Sequence, residues 1–362
     1  MTTAKIPLRI LVMAGGTGGH VFPALAVADE LHARGMEVTW LGTRQGLEAE
    51  VVPRAGFPID YIQVSGLRGK GWLSWLLAPV KLALALVQAA AVIRHRRPLA
   101  VLGMGGFVAG PGGLAACLMR RPLLIHEQNA RAGLTNRLLK PLAAQVMEAF
   151  PGTFVTDKKV LHTGNPLRSD FLQTHEKQSH QGPLRLLVVG GSLGAAHFNA
   201  VVPQTLAAMD AGRRPEVWHQ AGKRNIDSAR AAYAEAGIEV RVEAFIDDMA
   251  AAYQWADLVL CRAGAMTVSE LAAVGVASIL VPFPYAVDDH QTANARYLSA
   301  REAAVLLPQT QMTVPRLAEL LSGLTAPVLH KMAVAARRLS MPDATTRVAD
   351  ECLSQASGVA HG

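Results

Sequence analysis

Residues 8–20 read LRILVMAGGTGGH, and residues 184–195 read LRLLVVGGSLGA. Each begins as a run of aliphatic side chains and ends in a turn too rich in glycine to continue a strand. A continuous apolar run suits a strand buried on both faces, as in a parallel sheet; a half-exposed strand would alternate. A helical pattern follows the first turn from about Gly19 to Arg34, with Gly35 placed to end it in the left-handed conformation. Two strand–glycine-loop–helix openings in one chain predict an α/β protein of two Rossmann-like, doubly wound domains facing across a cleft.

The same rhythm continues outward. Val38–Gly42, Ile59–Val64, Leu99–Met104, Leu123–His126 and Val146–Phe150 read as further strands, with helical patterns between most of them. At 362 residues the chain is long for one core and suits two. The polar stretch 173–183 places the boundary between Gly164-Asn165-Pro166 and Pro183, giving domains of residues 1–166 and 167–341. A helix is expected from Val314 to about Leu339. After the break at Met341-Pro342, a last amphipathic piece (about 342–362) is available to pack back on the first domain.

Composition narrows the function. A chain that is 51% hydrophobic and 17% charged is globular, and a formal charge of +7 favours an anionic partner. No dense Lys/Arg run interleaved with aromatics occurs, so nucleic acid is not expected. Cys117, Cys261 and Cys352 are odd in number and lack CxxC spacing, which argues against a disulfide framework or a zinc site and fits a reducing cytosol. Met1 leads directly into a strand-like segment, and no signal peptide is expected.

Residues 72–93 test that reading, because Ser74, Lys81 and Gln88 are their only clearly polar members. A buried lysine in mid-membrane costs roughly 2.5–3.5 kcal/mol. The uncharged stretch after it, Leu82–Ile93, would reach only about 18 Å as a helix. A buried crossover helix is therefore expected, preceded by an exposed apolar patch of Trp72, Trp75, Leu76 and Leu77 with Lys81 beside it.

Glycine turns between a strand and a helix let phosphate oxygens approach backbone N–H groups. Dinucleotide binding would also need a carboxylate at the end of the next strand. Those strands end Trp40-Leu41-Gly42 and Trp218-His219-Gln220, so an oxidoreductase is disfavoured, and no GxxxxGK[ST] loop is present for an NTPase. Near residue 261 an apolar strand gives way to Arg262-Ala263-Gly264-Ala265-Met266-Thr267-Val268-Ser269-Glu270, where a helix opens. Its first N–H groups could hold a pyrophosphate, and Glu270 could accept both hydroxyls of a ribose; the bland alternative makes Glu270 a capping residue. A second polar cluster, Asp288-Asp289-His290-Gln291-Thr292-Ala293-Asn294-Ala295, offers amides that can read sugar hydroxyls or cap a helix.

The whole set is far more specific than its parts. GGTGGH (15–20), GMGGF-VAGPGG (103–113), HEQNA (126–130), TGNP-LR (163–168), GGSLGA (190–195), FIDDM (245–249), RAGAMTVSE (262–270) and DDHQTANA (288–295) resemble the ordered motif set of the MurG family. The resemblance implies a GT-B glycosyltransferase that moves N-acetylglucosamine, with inversion, from UDP-N-acetylglucosamine to the C4 hydroxyl of the muramoyl unit of lipid I, giving lipid II for peptidoglycan. It implies acceptor and membrane contacts on the N-terminal half and UDP-N-acetylglucosamine on the C-terminal half. By the same resemblance Phe245 flanks uracil and the Ile246 backbone reads its edge. Glu270 binds the ribose, and Ser192 with residues Ala265, Met266 and Thr267 holds the diphosphate, Val268 and Ser269 adjoining. Arg168 contacts the nucleotide, Gln291 and Asn129 bind the sugar, and Thr17, Gly18 and Gly19 line the donor site and, with His20, the floor toward lipid I. Phe107, Met266 and His290 are mild departures, and the last weakens any sugar contact from residue 290.

His20 is the candidate catalytic base, since histidine as a residue type titrates near neutrality, and Glu127 is the reserve. No two aspartates stand two apart, so the DxD metal site of the other glycosyltransferase fold is missing, and no cofactor or metal is expected. Expected partners are an anionic membrane surface at the cytoplasmic face of the inner membrane and other cell-wall synthesis enzymes. The competing classes are another GT-B transferase on a different lipid-linked or natural-product acceptor, a UDP-sugar epimerase, and a nucleotide-binding module without turnover.

Overall fold

A computed structural model describes residues 8–64, 77–173, 182–191 and 194–360. The chain divides into two compact units, Met1–Arg168 with Met341–Gly362, and Ser169–Ser340.

The first unit holds a seven-stranded sheet in the order β3-β2-β1-β4-β5-β6-β7. Its strands are β1 (Arg9–Met13), β2 (Glu37–Gly42), β3 (Ile59–Tyr61), β4 (Ala100–Gly103), β5 (Leu123–Glu127), β6 (Gln145–Glu148) and β7 (Val160–His162). All pairings are parallel. Alternation along β1 explains its unbroken apolar sequence: Ile10 and Val12 enter the core on one face, Leu11 and Met13 the core on the other.

The first of these cores is completed from the far end of the chain. Helix Ala344–Ala360 packs on helix Gly18–Ala33 and on β4. Val348, Ala349, Cys352 and Ala356, spaced along one stripe, lie in the same cluster as Ile10 and Val12. Thr345 Oγ1 donates to Leu167 O at 3.2 Å and ties the start of this helix to the strand-end segment 163–168.

The second unit repeats the design with six parallel strands in the order β10-β9-β8-β11-β12-β13. These are β8 (Arg185–Val189), β9 (Glu216–Gln220), β10 (Arg241–Glu243), β11 (Leu258–Cys261), β12 (Ala277–Leu280) and β13 (Ala304–Leu306). In both sheets the order reverses direction beside the first strand of the unit, at β1/β4 and at β8/β11, where the loops leaving the two strands part. Open α/β sheets bind ligands in that crevice.

Three expectations are corrected. The region Val314–Leu339 is two helices, Val314–Gly323 and Ala326–Arg338, because Gly323 weakens the first and Pro327 starts the second. The strand expected over Ile59–Val64 is only Ile59–Tyr61. The crossover helix Ala78–Arg96 is mostly exposed: Ala85, Ala89 and Ile93 are buried along one narrow stripe. Val80, Leu84 and Val87 stand outward at i, i+4 and i+7, with Val80 67% and Val87 66% exposed. Its 19 residues and mean hydropathy of 1.3 make it long and apolar enough to cross a membrane. Its buried stripe is nonetheless part of the sheet packing, in one cluster with Leu11 and Met13.

Candidate active site

In the first unit the turn after β1 is held from behind by a carboxylate. Glu48, fully buried, accepts from Gly16 N at 2.9 Å and from Thr43 N and Thr43 Oγ1, each at 2.8 Å. Space for it exists only because three neighbours lack side chains: a Cβ on Gly15, Gly42 or Gly46 would come within 2.6, 2.7 and 2.0 Å of Glu48. The loop after β4 then closes on the same turn. Gly106, at φ 83°, sits so near that a Cβ would lie 2.3 Å from Gly15 O.

Thr17 caps helix Gly18–Ala33 by backbone alone, its carbonyl accepting from His20 N and Val21 N at 3.1 and 3.2 Å. Residues 18 and 19 thus present N–H groups out of a 16-residue helix end, where a negative group is favoured. His20 follows, half-buried, with Nδ1 3.1 Å from Gln128 Oε1. Gln128 Nε2 donates to Met104 O at 2.9 Å and lies 3.2 Å from His126 Nδ1. His126 Nε2 in turn lies 2.9 Å from Gly164 O. Burial pushes the His126 imidazole down to about 4, so it is neutral at physiological pH.

Glu127 is buried, and its carboxylate is occupied on both oxygens. Oε1 accepts from Asn129 N (3.1 Å) and Asn129 Nδ2 (3.2 Å), Oε2 from Gly133 N and Asn136 Nδ2 (each 2.9 Å). Four donors fill the lone-pair sites of a carboxylate. Glu127 therefore organises the 127–136 loop and is removed from consideration as the reserve base. Asn129, half-buried, is oriented by it.

In the second unit, helix Ala265–Val274 begins at Gly264, and its hydrogen bonding starts with Val268 N donating to Gly264 O at 2.9 Å. The N–H groups of residues 265–267 point out of the helix end. Val268 itself is turned inward with its side chain fully buried and its N–H used, so it drops out of the expected donor set. Glu270 accepts from the buried Tyr253 hydroxyl at 3.3 Å. Desolvation first, and the Glu270 charge second, raise the Tyr253 phenol far above its ordinary range, so it remains a proton donor to that carboxylate.

Gln291 has its Oε1 accepting from Phe283 N at 2.8 Å, which ties its amide to the 281–286 loop. Arg262 braces that loop from inside: Nη1 donates to Val281 O and Pro282 O at 3.2 and 3.3 Å, Nη2 to Gln309 Oε1 at 2.6 Å. Its guanidinium also stacks 4.6 Å from the Phe198 ring centroid. Asn294, fully buried, donates to Ala263 O at 3.1 Å and joins the two polar motifs. Asp288 and Asp289 both adopt φ near 50°, at 52° and 51°, a left-handed pair that aspartate tolerates better than most residues. Phe245 is exposed and Ile246 buried ahead of helix Met249–Trp255, which Asp248 caps through Ala251 N at 2.9 Å.

Residues 10–148 match the glycosyltransferase family 28 N-terminal domain, and residues 185–348 the family 28 C-terminal domain. A UDP-N-acetylglucosamine–N-acetylmuramyl-(pentapeptide) pyrophosphoryl-undecaprenol N-acetylglucosamine transferase of Nitrosococcus oceani is 57% identical over 357 residues, spanning 97% of this chain and 99% of its own. The crystal structure of Acinetobacter baumannii MurG aligns with a TM-score of 0.84 at 42% identity, over 96% of this chain and 100% of that one. The chain belongs to the MurG family. Its two Rossmann-like domains are those of the GT-B fold, and it is a glycosyltransferase. A UDP-N-acetylglucosamine 2-epimerase from Neisseria meningitidis reaches a TM-score of 0.68 at 13% identity, a likeness of fold alone.

Within this MurG-family chain, Thr17, Gly18, Gly19, His20 and Asn129 gather at the strand ends of the first unit. Ala265, Met266, Thr267, Ser269, Glu270, Gln291, Phe245 and Ile246 belong to the second. Arg168 is exposed and is the last residue of the first unit's N-terminal segment. Ser192, Trp72, Trp75 and Leu76 lie outside the described residues, whereas Leu77 and Lys81 open the exposed helix. Sequence reading gave no role to Glu48, Gln128, Tyr253 or Arg262. Gln128 and Arg262 stood inside quoted motifs; Glu48 and Tyr253 act across loops that sequence spacing does not connect.

Proposed function

We infer that this enzyme transfers N-acetylglucosamine from UDP-N-acetylglucosamine to lipid I, giving lipid II. The observation that carries the reading is near-full-length likeness to transferases of that named activity. In the proposed step the acceptor C4 oxygen attacks the anomeric carbon from the side opposite UDP. The bond to UDP breaks as the new glycosidic bond forms, and configuration inverts. The hydroxyl proton passes to His20, whose ring stands beside an anion-favouring helix end. Negative charge developing on UDP is met by the N–H groups of residues 265–267. Glu270 holds the ribose, Phe245 lies along the base, and Arg168 and Gln291 take the nucleotide and sugar.

Transfer of labelled sugar to a soluble lipid I analogue tests the whole. Product is expected only with acceptor present, and it should survive exhaustive EDTA, because a helix N-terminus supplies the counter-charge and no DxD pair exists. Loss of turnover in EDTA that magnesium restores would sink the helix account. Hydrolysis or epimerisation of the donor without acceptor would overturn the activity.

Glu270→Gln should weaken UDP binding roughly tenfold while leaving unfolding unchanged within error, since a charge-assisted hydrogen bond to the ribose becomes neutral, a difference of about 1–1.5 kcal/mol. Wild-type UDP affinity by titration calorimetry would return Glu270 to a structural role paired with Tyr253.

We further propose peripheral docking at the cytoplasmic face of the inner membrane through the outward stripe Val80, Leu84 and Val87, with Leu77 and Lys81 at its start. Apolar side chains enter the headgroup boundary, and each nearby cation adds up to about 1 kcal/mol on anionic lipid. Substituting Val80 and Val87 by Ser should release the protein from anionic vesicles in co-sedimentation and leave its Tm unchanged. Retained binding would move the docking surface elsewhere, and a fallen Tm would make the stripe structural.

A further inference from the structure

We infer that Gln128 is a positioning residue that fixes the tautomer of His20, keeping Nδ1 protonated and Nε2 bare to accept the substrate proton. The inference rests on the reading of His20 as the base.

The donors and acceptors around His20 have roles that are not interchangeable. Gln128 is 1% exposed, and one end of its amide lies 2.9 Å from Met104 O. A carbonyl only accepts, so that end is the NH2 group. The opposite end, 3.1 Å from His20 Nδ1, is then the amide oxygen, which also only accepts. His20 Nδ1 must carry the hydrogen. A neutral imidazole has one N–H, so Nε2 holds a lone pair. Were the tautomer reversed, two lone pairs would face each other at this distance.

A second lock keeps the amide from turning over. His126 Nε2 lies 2.9 Å from Gly164 O, again an acceptor, so this nitrogen is the protonated one and His126 Nδ1 accepts from the Gln128 NH2 group at 3.2 Å. Gly164 O is placed by a residue at φ 81° where a Cβ would come 2.4 Å from Met341 Cβ, so glycine is required. Gly105 makes room for the His20 ring itself, since a Cβ there would lie 2.5 Å from Nδ1. Hydrogen bonds thus run in one direction, from His20 to the amide oxygen and from the amide nitrogen to His126 and Met104. The segments after β1, β4 and β7 meet β5 to fix one nitrogen of one ring.

Nitrogen-15 NMR of the full chain labelled at histidine reads the tautomer directly, with the His20 signals identified by their loss in His20→Asn. The expected wild-type spectrum has a protonated Nδ1 and an unprotonated Nε2 for His20. Gln128→Met should convert this to a mixture and lower kcat roughly ten- to a hundredfold, as small misplacements of a reacting group do, with KM for UDP-N-acetylglucosamine little changed. A wild-type His20 protonated on Nε2 overturns the inference, and needs no variant to fold. So does a Gln128→Met enzyme whose tautomer or kcat is that of the wild type. If His20→Ala retains turnover, the base reading fails instead, and the wild-type spectrum still decides whether Gln128 fixes the ring.

Discussion

His20→Ala should lower turnover on a lipid I analogue by roughly 10²–10⁴-fold, the usual contribution of a positioned general base, while UDP-N-acetylglucosamine binding stays near wild type. The expectation follows from placement. His20 lies in the first turn of the helix at the β1/β4 switch point, and its Nδ1 is engaged by the buried Gln128. An alanine removes the proton acceptor but leaves Glu48 and the loop behind it in place, so the turn keeps its shape. Single-turnover rates with bound labelled donor separate chemistry from binding. A loss of only a few-fold, shared equally between donor affinity and rate, would make His20 a loop-shaping residue.

Acidification should destabilise both units before carboxylates begin to protonate. Desolvation lowers His126 from 6.5 to about 4 and His219 from 6.5 to about 3. In each case the folded state holds the neutral ring, and between the folded and unfolded values the unfolded chain binds more protons. Stability is therefore full above about pH 7 and is lost as pH falls through 6.5 toward those lowered values, by about 1.4 kcal/mol per pH unit for each histidine. By pH 5 each unit should be weaker by about 2 kcal/mol. Peptide-resolved hydrogen exchange from pH 7.5 to 5 follows the units separately. His219→Asn should flatten the acid response of residues 169–340 alone; an unchanged slope there would refute the assignment.

Much of the fold was legible because parallel sheets write themselves plainly. Runs such as 10–13 and 186–189 are apolar on both faces, and the glycine turns behind them can be little else. The three-residue strands β7, β10 and β13 carry too few side chains for a pattern to emerge, and β3, equally short, was read three residues too long. Helix Ala78–Arg96 misled for another reason. Four of its large apolar residues, Val80, Leu82, Leu84 and Val87, are exposed, so hydrophobicity, ordinarily the sign of burial, pointed the wrong way for most of its surface. At the site, the motif letters located the loops but not their supports. Glu48 reaches Gly16, and Gln128 reaches His20, by contacts that topology creates and no local spacing encodes. Glu127 was the converse case, a catalytic-looking carboxylate occupied by its own loop.

Helix Ala344–Ala360 gives the order of synthesis a physical meaning. The ribosome releases residues 169–340, the entire second unit, before it releases Val348, Ala349, Cys352 and Ala356. Those four belong to the same apolar cluster as Ile10, Val12 and Val27, which emerge long before them. The domain that begins the chain is thus the last to be finished. Until residues 344–360 emerge, one flank of its sheet waits for a helix encoded more than three hundred codons downstream of β1, and the growing chain must avoid aggregation in that state.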